Sequence, residues 1–450
     1  MAEQVVVGAD GAGGADSAGV SDRGEVTISR SYRKYALGIL LLGYTSSYVD
    51  RQIMGVLVVP IQKEFLLTDT QMGFLGGIAF GIFYATLGIP IAFLADRTNR
   101  RNIIALAISV WSVMTVACGF TTGFWTLALA RVGVGIGEAG SSPPSHSMIA
   151  DLYPQNERSG ALAIYALGVY IGIMLGFLVG AYVATDYGWR WAFIIVGLPG
   201  IVIAAIVRFT LKEPPRGHSD GHVVTDNGGI DWRTAVAQIK AGFVHLWRDR
   251  ASRHTVAGVT LVSFVGYGGA YWGAAFFMRS HGLTLFEVGL FLAAVIGTAG
   301  VAGAVLGGRL ADRLGMKDRR WSMWVVACAK VMAAPIIVWF FLEPNTTTAL
   351  FVYVPTVLLG AFYLGPSFAV IQSRAPVQMR SLASAIMLFI LNILGLGLGP
   401  QFVGILSDAF QPQFGQESLR YALLLLSFIS VWGAWHYYLA GKALGEDAAG

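Results

Sequence analysis

Four ionisable side chains lie inside apolar stretches of this sequence that are long enough to cross a membrane. Asp50 and Arg51 are adjacent in the first such stretch, and Arg131 and Glu138 lie seven positions apart in the fourth. An ionisable group near the centre of a bilayer costs about 2.5–3.5 kcal/mol on insertion scales, so it usually faces a partner or an aqueous cavity. These residue types suit proton exchange on carboxylates and anion binding by guanidinium groups.

Helix geometry limits which of these groups can meet. Neighbouring residues on a helix point about 100° apart, so Asp50 and Arg51 need separate partners. Arg131 and Glu138 lie on nearly the same face of one helix, about 10 Å apart along its axis. If the first stretch (35–60) and the fourth (124–146), here called spans 1 and 4, line the same cavity, we expect an Arg51–Glu138 pair, with Asp50 and Arg131 as a second layer.

The chemistry of these groups indicates a role for each. A carboxylate that gains or loses an arginine neighbour changes its affinity for a proton, so we expect Glu138 to carry the coupling proton, with Asp50 as the alternative. A guanidinium presents a bidentate fork to phosphate, so we expect Arg51 and Arg131 to anchor an anionic head group. The competing interpretation is a structural network that holds the two helices together.

The composition indicates that much of the surface faces lipid. Of the 450 residues, 55% are hydrophobic and 13% are charged, whereas a soluble domain carries about 25% charged residues. We predict an all-α membrane protein of twelve transmembrane helices in two pseudo-symmetric six-helix bundles, because twelve apolar runs reach the ~20 residues that a spanning helix needs. The predicted parts are a disordered tail (1–34), a first bundle (35–211), a linker with an amphipathic helix (212–253), a second bundle (254–441) and a tail (442–450).

Basic residues and internal repeats support this topology. With the N-terminus inside, interior segments hold 24 Lys and Arg residues and exterior loops hold four, so both termini are expected to be cytoplasmic. LADRTNRR (94–101) matches LADRLGMKDRR (310–320), and PQNERSGALA (154–163) matches PVQMRSLASA (376–385). Two related halves imply a pseudo-twofold axis along the membrane normal, with the transport path between them.

These motifs carry a family resemblance. GGRLADRLGMK (307–317) resembles the loop signature of the major facilitator superfamily, and AFLADRTNRR (92–101) is a weaker copy in which Ala92 and Asn99 replace glycines. YVDRQIMGVL (48–57), FWTLALARVGVGIGEAG (124–140) and ADLYPQNERSGALA (150–163) resemble the spinster family, which is related to lysolipid and sphingosine-1-phosphate transporters. The resemblance implies a secondary transporter of lipid-like anions or zwitterions, with the acidic and arginine positions of spans 1 and 4 as the proton and head-group site.

The signature loops also suggest a gating latch. Carboxylates there can cap helix N-termini and pair with arginines, which would hold the inward side shut. The predicted latch residues are Asp96, Arg97, Arg101, Asp151, Arg158, Asp312 and Arg313.

The predicted spans 7 (255–278) and 5 (159–185) give two further expectations. Tyr267, Tyr271 and Trp272 in span 7 are predicted to line a cavity around an acyl chain, with an outer aromatic belt as the alternative. A glycine stripe in span 5, at positions 168, 172, 176 and 180, is predicted to pack against small residues of span 8 (286–309), such as those at positions 300, 303 and 307.

Other classes of protein fit the sequence less well. No metal-ligand spacing, nucleophile–base arrangement or GxxxxGK[ST] signature is present, so we expect no enzyme, metal, cofactor or nucleic-acid partner. The expected partners are a small amphiphile, protons and membrane lipids, and the expected state is a monomer in the cell membrane. A multidrug or organic-anion antiporter of the same fold remains the alternative.

Overall fold

The computed structural model of this chain describes residues 28–95, 97–217, 219, 232–376 and 379–449. Those residues form helices joined by short connections, and they include no β-strand. The first half contains α1 (Arg30–Val56), α2 (Val58–Phe65), α3 (Asp69–Gly76), α4 (Ile78–Ala95), α5 (Arg100–Cys118), α6 (Phe124–Glu138), α7 (Ser142–Leu152), α8 (Gln155–Tyr187) and α9 (Trp189–Thr210).

The second half begins with a helix, α10 (Trp232–Arg248), that precedes its first membrane-spanning segment. Its other elements are α11 (Arg250–His281), α12 (Leu285–Val295), α13 (Val301–Gly315), α14 (Trp321–Leu342), α15 (Thr346–Gly360), α16 (Leu364–Arg374), α17 (Arg380–Leu391), α18 (Gly399–Phe414), α19 (Ser418–Ser427) and α20 (Ile429–Ala449). Wider π-helical turns join α12 to α13 and α17 to α18, and a 3₁₀ turn joins α15 to α16.

Nine helical segments in the described part of the chain are long and apolar enough to cross a membrane. The last of them, residues 380–446, covers two of the predicted spans. Helix α1 is not among the nine, nor is α6, which is only 15 residues long and ends at Glu138. The fold is thus an all-helical membrane bundle, and the count of twelve spans remains a prediction.

The glycine stripe of α8 packs against α1, so the predicted partner was wrong. A Cβ at Gly172 would meet Thr45 and Tyr48 of α1, and one at Gly176 would meet Gln52. Gly300, Gly303 and Gly307 face the segment from α15 to α16 instead, because a Cβ at Gly303 would clash with the Leu358 carbonyl. At the start of α12, however, Gly289 of the same predicted span lies against Phe177 and Ala181 of α8. Glycine removes side-chain bulk, so α8 lies close to the turns of α1 that lead to Asp50 and Arg51.

The two halves touch along one end of the bundle. There, a single apolar core takes residues from both halves, among them Ile53, Phe177, Trp272, Val288 and Val403. Toward the opposite end, one core is built almost wholly from the first half and another from the second. We call the end that carries α3 and the start of α12 the closed end, and the end that carries α10 the separated end.

Helix α10 is attached to the second half at the separated end. The ring of His245 contacts the carbonyl of Arg374, and the Arg374 guanidinium pairs with Asp249. Asp249 also caps α11 by accepting a hydrogen bond from the Ser252 N–H at 2.8 Å. Burial by itself would raise the pKa of the Asp249 carboxyl, but hydrogen bonds from Arg374 and Ser252 outweigh it and hold the pKa below its ordinary value.

Candidate functional site

Arg51 of α1 and Glu138 of α6 form an ion pair in the interior of the first half. The Arg51 Nε–H donates to Oε2 of Glu138, so the predicted pair is present. The Glu138 side chain is fully buried, whereas 14% of the Arg51 side chain is exposed. The second carboxylate oxygen of Glu138, Oε1, is buried without a hydrogen bond to any described residue. The pair therefore has an arginine open to one side and a carboxylate with spare acceptor capacity.

Three aromatic rings surround the Arg51 guanidinium. Its Cζ lies 4.2 Å from the centroid of the Tyr84 ring, 4.8 Å from that of Tyr48 and 5.3 Å from that of Phe80. We call Tyr48, Phe80 and Tyr84 the aromatic box. The sequence analysis did not predict the aromatic box. Tyr48 could have been proposed as one neighbour of Arg51, because it lies one helical turn before Arg51 on α1.

Asp50 is buried on the other side of α1, facing α5. It is 0% exposed, and its polar surroundings are the indole of Trp111 and the hydroxyl of Thr115. Neither carboxylate oxygen makes a hydrogen bond of standard geometry within the described residues. Asp50 and Arg51 thus face different surroundings, as their 100° separation requires.

Arg131 is the fourth ionisable residue of this site. Its guanidinium has no carboxylate within 4 Å among the described residues. Its Nε–H donates to the Leu75 carbonyl at 3.4 Å, and its guanidinium lies 5.1 Å from the centroid of the Phe80 ring. Only 2% of Arg131 is exposed, and its charge acts on both Asp50 and Glu138. The four groups therefore form one buried cluster of two acids and two bases, in which one acid–base pair is in direct contact.

The span 7 aromatics fall into two groups. Tyr267 lies near Tyr48, Tyr84 and Arg51 and is partly exposed, so it shares the central region with the aromatic box. Tyr271 and Trp272 are 8% and 0% exposed. Their polar atoms donate to the carbonyls of Met72 and Pro400 at 2.7 and 2.8 Å. In this conformation, these two residues pack between helices at the closed end and do not line an open cavity.

A polar network joins the two halves at the closed end. Arg279 of α11 donates from Nη1 and Nη2 to the two carboxylate oxygens of Asp69 on α3, both at 2.8 Å. Gln62 binds Asp69 and Arg279 from the first half, and Ser407 donates to Asp69 at 2.6 Å from α18. The arrangement is a bidentate, largely buried ion pair, which is the strong form of this interaction.

The same network caps a helix of one half with a carboxylate of the other. Asp408 of α18 accepts hydrogen bonds from the N–H groups of Asp69 and Thr70 at 3.0 and 2.8 Å. These N–H groups lie in the first turn of α3, where the helix leaves its donors unsatisfied and favours negative charge. We call Gln62, Asp69, Arg279, Ser407 and Asp408 the closed-end network; the sequence analysis did not predict it.

At the separated end, Arg100 binds two acidic residues. One is Asp151, which the sequence analysis placed in the latch, and the other is Glu213, which the sequence analysis did not predict. The Arg100 guanidinium pairs with Asp151 and, at 2.6 Å, with Glu213, and it also donates to Ser147 and to the Pro214 carbonyl. Arg100 is 1% exposed. None of these contacts involves the second half, and the group ties α5, α7 and the start of the linker together.

The remaining predicted latch residues make other contacts. The Arg101 side chain reaches Asn102 and the Leu211 carbonyl, and it contacts no carboxylate among the residues that the structure describes. Arg158 binds the Tyr153 carbonyl and Ser219. Arg97, Asp312 and Arg313 are exposed, and Asp96 lies outside the described residues. The predicted grouping of Arg101 with Asp151 is therefore replaced, in this conformation, by Arg100 with Asp151.

Removing Arg100 should destabilise the fold. We expect Arg100→Gln to lower the free energy of unfolding by about 3 kcal/mol, because it leaves two largely buried carboxylates without their cation. Denaturant titration of the purified protein, followed by tryptophan fluorescence, measures the change. The matched control is Arg101→Gln, which removes a more weakly held neighbour and should cost less than about 1 kcal/mol. Equal losses for the two variants would contradict the assignment of Arg100.

Comparison with known proteins identifies the family of this chain. The Major Facilitator Superfamily profile matches residues 40–400, which include most of both halves and all four charged groups of the buried cluster. The chain belongs to the Major Facilitator Superfamily. This superfamily member is therefore a multi-pass membrane transporter and not an enzyme.

Its relatives include spinster proteins, as the sequence motifs indicated. The chain is 34% identical to an MFS-type efflux pump of Mycolicibacterium smegmatis over 92% of its own length and 93% of that protein. It is 26% identical to the sphingosine-1-phosphate transporter SPNS2 of Danio rerio, over 88% of this chain and 82% of that protein. It also matches the crystal structure of a bacterial homolog of the human lysosomal transporter Spinster, in an inward-facing and unoccupied conformation. That match has a TM-score of 0.83 and 31% identity, and covers 93% of this chain and 99% of the other.

Proposed function

We propose that this transporter moves a lipid-like amphiphile, such as a lysophospholipid or a sphingosine-1-phosphate-like molecule, by proton-coupled alternating access. The observation that carries the proposal is the Arg51–Glu138 pair, buried between two helices and open on the arginine side. A carboxylate can exchange a proton, and its arginine partner can exchange that carboxylate for an anionic substrate group. The pair thus joins the two events that coupled transport must link.

The two ends of the bundle suggest the state that the structure represents. The named polar contacts between the halves belong to the closed end, around Asp69, Arg279 and Tyr271. The bias of basic residues supports a cytoplasmic position for the separated end and for both termini. We therefore propose twelve spans, a cytoplasmic separated end and an inward-facing state, in keeping with the inward-facing conformation of the similar crystal structure.

Alternating access requires the ends to open in turn. In the outward-facing state the closed-end network would part, and the halves would meet at the separated end. The predicted latch residues, including Asp96, Arg97, Asp312 and Arg313, belong to the two signature motifs, and we expect them to form contacts in that state. Tyr271 and Trp272 would then leave their bonds to Met72 and Pro400 and become available to an acyl chain.

Charge balance within the buried cluster supports proton coupling. Protonation of Glu138 would remove one negative charge beside Arg51, so the guanidinium would become available to a substrate anion. Asp50 has no cation within 4 Å in the described chain and remains the second candidate for the coupling proton. An uncompensated buried charge is costly, so each exchange of partners favours a different arrangement of α1 and α6.

A drug or organic-ion antiporter on the same fold is the second candidate. The observation that favours it is the 34% identity, over nearly the whole chain, to a relative named as an efflux pump. Both candidates use the same fold and carboxylates, and they differ in the molecule that occupies the space beside Arg51.

The test uses the purified protein, as a monomer, reconstituted into liposomes. A proton gradient is imposed in either direction, and uptake of a fluorescent lysophospholipid is compared with uptake of a fluorescent cationic dye. We expect lysophospholipid uptake to rise with one gradient direction and to collapse when a protonophore is added. Uptake that ignored the gradient would contradict proton coupling, and dye transport without lysophospholipid transport would favour the antiporter.

A further inference from the structure

The aromatic box has the composition of a binding site for organic cations. Tyr48, Phe80 and Tyr84 approach one positive charge from three directions, and the planes of the Phe80 and Tyr84 rings are within 10° of parallel. The Glu138 carboxylate lies against the same cation. Proteins recognise ammonium groups with such arrangements, because ring faces and carboxylates both attract positive charge that has lost its water.

The occupant of the box in this structure is Arg51, which is part of the chain itself. We propose that the aromatic box is an organic-cation subsite, which Arg51 fills when no substrate is bound and vacates for the ammonium group of the substrate. The inference rests on the proposed function and specifies one part of the substrate. It assigns the box and Glu138 to a cationic group, whereas the sequence analysis assigned residues only to the anionic part of the head group.

Arg51 is accessible to a ligand, and its neighbour Arg131 is not. Arg51 pairs with Glu138 and contacts the rings of the aromatic box, but 14% of its side chain remains exposed. Arg131 is 2% exposed, donates to the Leu75 carbonyl and lies beside the other side of the box at Phe80. Arg51 is therefore the cation that a ligand can displace, while Arg131 remains as a fixed charge.

The displaced guanidinium determines what else the substrate should carry. Once an ammonium group takes its place beside Glu138, Arg51 would be a buried cation without an acid, which is unfavourable. A phosphate a few bonds from the ammonium group would bind the released guanidinium in a bidentate manner. A zwitterionic head group therefore replaces both partners of the Arg51–Glu138 pair at once. A purely cationic ligand replaces only one of them.

Two ligands that differ only in charge test the subsite directly. Dodecylphosphocholine is compared with its carbon isostere, in which a neutral tert-butyl group replaces the trimethylammonium group. Binding to the wild-type protein in lipid nanodiscs is measured without a proton gradient. We expect the phosphocholine compound to bind about 10-fold more tightly. Equal binding of the two ligands would overturn the proposal, whatever the outcome of the proton-driven transport assay.

Variants of one ring locate the effect. Tyr84→Leu should reduce the preference for the charged ligand to about 2-fold, whereas Tyr84→Phe should retain most of it, since phenylalanine keeps the ring face. The matched control is Tyr187→Leu, at an exposed tyrosine on the last turn of α8, which should leave the preference unchanged. A preference that survived Tyr84→Leu would place the cation elsewhere and overturn the assignment.

A third ligand distinguishes the sources of the ammonium group. Dodecyltrimethylammonium carries the same trimethylammonium group without a phosphate, as a cationic drug would. Weaker binding than dodecylphosphocholine indicates that the box serves a zwitterionic lipid head group, and tighter binding indicates a cationic drug. Both outcomes support the subsite, whereas failure of dodecyltrimethylammonium to compete with dodecylphosphocholine would contradict a shared cation position.

Discussion

Glu138→Gln should abolish proton-driven accumulation of substrate. Substrate exchange across the membrane should persist at substrate concentrations high enough to offset the weaker binding that loss of the Glu138 charge would cause. With one proton per substrate, a gradient of about two pH units is worth about 2.7 kcal/mol and supports roughly 100-fold accumulation. The amide cannot take up or release the coupling proton, so accumulation should fall from that level to equilibration. Its carbonyl oxygen can still accept the hydrogen bond from Arg51, so the helices should keep their packing. Reconstituted protein is assayed for both gradient-driven uptake and counterflow.

Two further variants make this result specific. Asp50→Asn tests the second buried carboxylate in the same assays, and the residue whose variant loses accumulation but keeps counterflow is the one that carries the coupling proton. Glu64→Gln is the control, because Glu64 is a solvent-facing carboxylate that pairs with Arg190 at the closed end. Full gradient-driven accumulation by Glu138→Gln would exclude Glu138 as the coupling group. Loss of counterflow as well would indicate instead that Glu138 is required for the conformational change or for binding.

The Arg51–Glu138 pair could be predicted from the sequence once the family resemblance placed spans 1 and 4 around one cavity. Each residue lies in an apolar run, a buried charge needs a partner, and helix periodicity excluded Asp50 from the same face as Arg51. Periodicity does not tell which other helices supply the remaining walls of a site. Phe80 and Tyr84 come from α4, where an aromatic residue in a membrane helix gives no signal that separates the site from lipid-facing surface.

The contacts that depend on helix neighbours were predicted least well. The stripe at Gly172 and Gly176 correctly indicated close packing, yet glycine spacing does not identify the partner, which is α1. Arg100 was missed because it stands beside Arg101 in one motif, and only the fold shows which of them turns inward. Asp69 and Arg279 lie at predicted span ends, where a solvent-exposed charge is the ordinary expectation.

Breaking the Asp69–Arg279 pair should shift the transporter toward the state in which the closed end opens. Asp69→Asn leaves Arg279 without its carboxylate in a site where the Asp69 side chain is only 7% exposed. Removing one partner of a buried pair costs about 3 kcal/mol, which corresponds to a change of roughly 100-fold in the ratio of the two states. Asp408→Asn should have a smaller effect, about 10-fold, because it weakens the charge at the α3 N-terminus and leaves the ion pair in place.

Distances between spin labels across the closed end measure this shift. The labels are attached at Leu66→Cys and Gln413→Cys, two exposed positions on opposite halves, in a background with Cys118 and Cys328 replaced by serine. The parent protein should give one short distance, and Asp69→Asn should add a longer one that dominates. Lys63→Gln removes an exposed charge at the same end and should leave the distribution unchanged. If Asp69→Asn kept the single short distance, the apolar contacts of Tyr271, Trp272 and their neighbours would be sufficient to hold this end closed, and the closed-end network would not determine the state.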